Sequence, residues 1–421
     1  MRGTRARWPG LLALVGALLG LIFAAYSTSD YAAHLDRQIH QIHCSFIPGA
    51  AVDSADANPC KTALFSPYSA IFRQSYWGGV PISLFALGAF GFFIGFGAWV
   101  LLSGSRAPRR ALLFLGTVGF TPLLASIVMF TISATQLHAF CKVCVGIYFS
   151  SALVAASGVL GWMTIRRERK LAHAPTQPME IAGQAVAVTS PRPVGSRSLM
   201  LVWLAALGAS ALLPAIVYLA ALPDYKPLIT ACGKLTLPTE PHNALIRLPT
   251  THPIKPVTLF EDPLCPTCKA FHERMVTEGA FENLDVTLSL FPLDNECNWM
   301  LDRPLHPGAC ILSRAIICGK DKSRAMLEWS YAEQDDLRDA GKKGSKQLRD
   351  KISGKWGKDI DACIDDVQTT AKLNQQLHYA SNNHVPVSTP QMFLGDTRLC
   401  DEDTDLGLPY TLAQLAPEVL K

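Results

Sequence analysis

Two pairs of cysteines, each spaced by two residues, stand in contrasting surroundings: Cys141-Lys142-Val143-Cys144 and Cys265-Pro266-Thr267-Cys268. Thiols at this spacing close one small ring, so a disulfide between them forms and exchanges readily by thiolate attack through a mixed intermediate. The first pair lies where a short loop, residues 136–140, gives way to a nearly unbroken apolar run, residues 145–162. Such a dithiol is hard for soluble thiols to reach but open to a lipid-soluble electron carrier. The second pair follows Val257-Thr258-Leu259-Phe260, a buried-strand pattern, and opens a helix expected to reach about Glu278. A thiol at a helix N-terminus meets unsatisfied N–H groups and the positive end of the dipole, which favours its thiolate. The plainer readings of this second pair are a structural disulfide or a metal clip.

The elements that position these pairs divide the chain in two. Of 421 residues, 49 % are hydrophobic and only 17 % charged, and the apolar excess is concentrated before residue 222. Five apolar runs, residues 8–26, 80–102, 111–135, about 141–162 and 199–222, are near the length needed to cross ~30 Å of hydrocarbon as helix. Arg2, Arg5 and Arg7 before the first run, together with the small residues Phe23-Ala24-Ala25, also have the form of a secretory signal; the later spans favour a retained helix. The basic start, the turn at residues 103–110 and the cluster Arg166-Arg167-Glu168-Arg169-Lys170 fall on one side of a five-span bundle, the cytoplasmic side by the positive-inside rule. All twelve cysteines then fall on or at the edge of the opposite face. Twelve cysteines without zinc-finger spacing point to redox chemistry and structural disulfides in an oxidising compartment. The net charge of +4 is read as membrane orientation; with no basic patch interleaved with aromatics, nucleic-acid binding is excluded.

Residues 171–198, rich in Pro, Ala, Thr and Ser, read as a cytoplasmic linker. After residue 223 the order is linker, strand, Cys-x-x-Cys at a helix start, an alternating strand (Val286, Leu288, Leu290), a helical block at residues 308–384, a strand entered through Thr389-Pro390, and a last helix near residues 412–420. This is an α/β order. The remaining cysteines suggest three structural bridges, Cys297–Cys310, Cys318–Cys363 and Cys232–Cys400, among many arithmetically open pairings. His43, His138 and His272 neighbour redox cysteines and could assist proton transfer; each is read as a surface residue.

The strand, Cys265-Pro266-Thr267-Cys268, the helical block and Thr389-Pro390 together resemble the thioredoxin superfamily, in its DsbA-like branch, over roughly residues 255–421. The resemblance implies that Cys265 is the exposed nucleophile, Cys268 its buried partner, and Pro390 a cis-proline facing them. Cys44, Cys60, Ser66, Cys141, Cys144 and Tyr148 together resemble the vitamin K epoxide reductase family over about residues 8–163, and the whole order resembles its bacterial members fused to a thioredoxin-like domain. One departure is the long insert, residues 45–59, between Cys44 and Cys60. That likeness implies an active disulfide of Cys141 and Cys144, with Cys144 nearest a quinone, and a Cys44–Cys60 shuttle pair on a mobile outer loop. It also implies Ser66 and Tyr148 as hydrogen-bond donors to the quinone carbonyls. The expected fold is an all-α membrane bundle of about five transmembrane helices plus an α/β thioredoxin-like domain with a helical insertion. The expected divisions are residues 1–170 for a four-helix membrane domain, 171–198 for the linker, 199–222 for a fifth span and 223–421 for the thioredoxin-like domain. The implied activity passes electrons from reduced periplasmic or secreted client proteins through Cys265/Cys268, Cys44/Cys60 and Cys141/Cys144 to ubiquinone or menaquinone. The expected location is the inner membrane, with the thioredoxin-like domain on the periplasmic side and no metal at the site. The same relay run outward as a reductase or isomerase, and a non-enzymatic stapled or metal-binding membrane protein, are the competing readings.

Overall fold

A computed structural model describes residues 7–38, 42–47, 54–172 and 192–420. Most of the anticipated linker, residues 173–191, lies outside the described residues. The chain divides into two compact units: residues 1–71 with 80–222, and residues 72–79 with 223–421.

The first unit is helical. Its helices are α1 (Trp8–Ala33), α2 (Ser54–Leu64), α3 (Ser83–Ser103), α4 (Arg109–Val118), α5 (Thr121–Ile132), α6 (Lys142–Ala172) and α7 (Arg197–Ala221). The short strands β1 (Ala70–Ile71) and β2 (Val80–Pro81) pair antiparallel between α2 and α3. Five segments are long and apolar enough to cross a membrane: Trp8–Asp36, Ser83–Arg106, Arg109–Leu137, Lys142–Lys170 and Arg197–Ala221. The chain is thus a multi-pass membrane protein. Association of helices in lipid relies on close packing, which small residues permit. Gly10 shows this: a Cβ there would stand 2.5 Å from the Leu101 nitrogen, so α1 and α3 meet backbone to backbone. Ala13, Ala17 and Ala24 continue that seam against Phe90, Phe93 and Phe96. The third apolar run is not one helix. It breaks after Val118, restarts with Pro122 in the first turn of α5, and ends in a π-helical turn at Ser133–Leu137 that leads to Cys141. Proline is tolerated there because the first turn has no intrahelical N–H partner to lose.

The second unit is a mixed five-stranded sheet with helices, consistent with a thioredoxin-like domain. Its strands are β3 (Ile246–Arg247), β4 (Lys255–Glu261), β5 (Leu284–Leu290), β6 (Gln391–Leu394) and β7 (Thr397–Arg398), in the order β3-β5-β4-β6-β7. β4 and β5 are parallel, and the other neighbours antiparallel. A parallel pair requires a crossover, supplied by α8 (Pro266–Thr277). The insertion between β5 and β6 holds α9 (Ala309–Cys318), α10 (Ser323–Ala332), α11 (Gln334–Lys343), α12 (Ser345–Trp356), α13 (Asp359–Ile364) and α14 (Val367–Asn382), and α15 (Leu408–Leu415) follows β7. Both faces of β4 are buried. Val257 and Leu259 pack with Phe271 and Met275 of α8, while Phe260 packs with Phe291, Phe393 and Tyr379. The structure pairs Cys232–Cys400, Cys297–Cys310 and Cys318–Cys363, the three bridges expected.

Two local expectations change. The linker assigned to residues 224–256 contains β3, which is too short to show a period, and the final helix is α15 followed by a 3₁₀ turn at Pro417–Leu420. The division at residue 223 also omits residues 72–79, which belong to the second unit. There the Trp77 Nε1–H donates to Asp403 Oδ1 at 2.7 Å, its ring lies 4.9 Å from that of Tyr225, and Arg73 pairs with Glu278. No sequence period marks this segment, because its contacts are made more than 140 residues away in the chain. Trp77 is buried, and a buried Trp→Ala change costs about 3–5 kcal/mol. Trp77→Ala should therefore lower the urea midpoint of residues 223–421, read by pulse proteolysis of the full chain, and Trp77→Phe should lower it less.

Candidate active site

The second unit holds Cys265 at the N-cap of α8, with Pro266 in the first turn. Proline suits that position because its missing N–H would have had no partner. Cys265 Sγ lies 2.8 Å from Thr267 Oγ1 and 3.6 Å from the Thr389 carbonyl oxygen. The Thr389–Pro390 bond is cis, and its Thr389 carbonyl lies against Cys265. Cys268 lies beneath, fully buried, where its sulfur accepts the Asp262 N–H at 3.5 Å. The two sulfurs are therefore unlike. The Cys268 thiol donates to Cys265 and, with help from Thr267, pulls the Cys265 pKa down to about 6 against burial and the charge of Asp262. Burial, then the donor role to Cys265, pushes Cys268 well above an ordinary thiol. A low-pKa thiol is the nucleophile and a high-pKa neighbour the resolving partner.

Three further groups at this site lie outside the motifs. Glu261, the last residue of β4, is completely buried; burial raises its carboxyl to about 7, opposed by His272 and by the Tyr331 hydroxyl, which donates to it at 3.1 Å. Asp262 is also fully buried and accepts from Leu264 N–H at 2.7 Å, Leu293 N–H at 2.7 Å and the His306 ring at 2.8 Å. For His306, burial opposes protonation, but the bond to Asp262 outweighs it and the pKa rises. The available signal was an acid pair, Glu261-Asp262, closing an otherwise apolar strand four residues before the nucleophile. His272 corrects an expectation: it is buried against Phe281 and Tyr331, at ring distances of 4.8 and 5.3 Å. It falls four residues after Cys268, so the helix turns it to the same inward face. His138 is exposed, as expected.

In the first unit Cys141 is buried and Cys144 is partly buried at the start of α6. The Cys144 N–H donates to Cys141 Sγ at 3.3 Å, so the helix N-terminus faces that sulfur. Cys44 and Cys60 form a disulfide. It is covered, with Cys44 0 % and Cys60 2 % exposed. The anchor is Asp30, absent from the sequence reading: its carboxylate accepts the His43 N–H at 2.9 Å and lies 2.6 Å from His43 Nδ1, fixing the residue before Cys44. Asp30 also lies within electrostatic reach of Cys141, and α2, which carries Cys60, packs against α6. Tyr148 is half-buried one turn after Cys144, its ring 6.1 Å from Phe130. Ser66 is buried, and its hydroxyl donates to the Ala63 carbonyl at 2.8 Å, closing the end of α2. Its proton is thus engaged within the helix end.

With this geometry in view, residues 11–159 match the model of the Vitamin K epoxide reductase family, whose members are oxidoreductases. That segment contains Cys44, Cys60, Cys141 and Cys144 and ends before the second unit's Cys-x-x-Cys. No curated protein matches the chain. The match and the paired cysteines point to membrane thiol–disulfide oxidoreductase chemistry.

The asymmetry of the second dithiol has a direct readout. Alkylation of Cys265 by iodoacetamide, followed by peptide mass spectrometry, should rise with pH to half its plateau near pH 6. Cys268→Ala removes the principal donor to the thiolate and should move that midpoint upward.

Proposed function

We propose that the protein is a membrane enzyme that generates protein disulfides and delivers the electrons to a quinone. Client thiols reduce Cys265–Cys268; that pair reduces Cys44–Cys60; and Cys44/Cys60 reduces Cys141–Cys144. Each transfer is a thiolate attack in which one S–S bond breaks as another forms, and two electrons move with the leaving thiolate. The net reaction converts a client dithiol and a quinone to a client disulfide and a quinol. In this reading residues 223–421 are a DsbA-like domain on the periplasmic side of the inner membrane, as the positive-inside count favours.

The observation that carries the proposal is the Cys141/Cys144 dithiol at the mouth of a membrane-spanning helix, with the helix of the Cys44–Cys60 disulfide packed on it. The surroundings suit a quinone in part. Phe130 and Phe140, 5.6 Å apart, are both about half exposed beside the dithiol and offer a flat apolar seat. In this reading the Tyr148 hydroxyl, one turn after Cys144, donates to a quinone carbonyl, where a fixed donor stabilises developing charge. Ser66 can contribute only by releasing Ala63. A quinone bound there, ubiquinone or menaquinone, supplies a two-electron acceptor within reach of Cys144.

Purified protein mixed with a reduced, unfolded client and a quinone should bleach the quinone absorbance as client thiols disappear. Cys144→Ala should abolish the bleaching, and Cys268→Ser should accumulate a mixed disulfide through Cys265, visible on non-reducing gels. Undiminished bleaching in Cys144→Ala, or no adduct in Cys268→Ser, overturns the relay.

A further inference from the structure

Cys268 has no exposed surface, so the proton it loses on attacking Cys265 must cross protein to reach water. Its sulfur touches the peptide nitrogen that follows Glu261, and the Glu261 carboxylate beside it is equally buried. Glu261 accepts from Tyr331, whose ring stacks obliquely on His272. His272 is 3 % exposed, yet neither ring nitrogen has a hydrogen-bond partner among the described residues. Its Nε2 points toward Glu328 Oε1 at 3.9 Å, a gap that one bridging water or a small ring rotation closes. Glu328 is 43 % exposed and held by Arg324 at 2.8 Å. An imidazole with both nitrogens unused is costly to bury, and this one stands between the buried Glu261 carboxylate and a carboxylate at the surface.

We propose that His272 carries the Cys268 proton between the buried Glu261–Tyr331 pair and the solvent at Glu328. During reoxidation the Cys265 thiolate attacks an acceptor disulfide and forms a mixed disulfide. Cys268 then gives its proton to Glu261 and attacks Cys265 Sγ; the acceptor leaves as a thiolate with the electron pair. Glu261 returns its proton outward to His272, which lies within electrostatic reach of it, and His272 passes it to Glu328. His272 is a positioning residue, acting on the sulfur through Glu261. The groups facing it are Glu261 from β4, Tyr331, Glu328 and Arg324 from α10, and Glu273 on its own helix. The proposal rests on reading Cys265–Cys268 as an exchanging dithiol, and it is independent of the quinone.

The test uses the full chain with Cys141 and Cys144 both changed to Ala and Cys265/Cys268 reduced, mixed with Ellman's reagent in a stopped-flow instrument. Cys265 attack releases a first thionitrobenzoate; Cys268 attack on the mixed disulfide releases the second. In the parent the second phase should level off above about pH 7, where Glu261 is ionised. His272→Gln should slow the second phase about tenfold at pH 7, leave the first unchanged, and make the second climb with hydroxide through pH 9. Glu328→Gln, at the surface, should slow the second phase about threefold and serves if His272→Gln does not fold. An unchanged second phase in the variant that folds, or equal slowing of both phases, overturns the relay. Because Ellman's reagent replaces the physiological acceptor, failure of quinone bleaching leaves this result intact, and failure here leaves the quinone reading intact.

Discussion

The difference in solvation between two sulfurs, Cys265 at the lip of α8 and Cys268 beneath it, governs the chemistry of the second unit. A negative charge on Cys265 is met by the Cys268 thiol, Thr267 and the helix start. A negative charge on Cys268 would be met chiefly by apolar neighbours and acidic Glu261. The fold maintains that imbalance by closing β4 directly into the N-cap turn. Asp262 binds the turn at Leu264 N–H and reaches across to Leu293 and His306. Shifting this turn would expose Cys268, and the two thiols would lose their separate roles.

The membrane unit solves a related problem with different materials. Lipid offers no water to satisfy polar groups, so the bundle closes through glycine and alanine seams and ends its third span in an irregular turn before Cys141. Asp30 is a carboxylic acid buried in that bundle. A carboxylate at the end of a membrane helix is expensive, and here both its oxygens serve His43, which precedes Cys44. The polar group is spent on positioning sulfur, as the buried acids are in the second unit.

Much of this was legible in the sequence because it rests on local or repetitive signals. The five spans announce themselves by length and hydropathy, the central strands by short apolar runs, and the reactive helix by Cys265 and Pro266. What escaped is made by contacts between distant positions. Asp30–His43, Asp262–His306 and Glu261–Tyr331 each join residues 13 to 70 positions apart, and no period or motif marks such pairs. His272 follows a local rule instead: four residues after a buried cysteine, a helix faces inward again.

Residues 72–79 give the second unit a biosynthetic peculiarity. Its Trp77 leaves the ribosome more than 300 residues ahead of Asp403, the group that receives its N–H. Four membrane-spanning segments, Ser83–Arg106, Arg109–Leu137, Lys142–Lys170 and Arg197–Ala221, are made in the interval. Assembly of this unit is therefore complete only when the last tenth of the chain has been translated, and a gene fragment starting at residue 223 encodes a protein with part of its own wall missing.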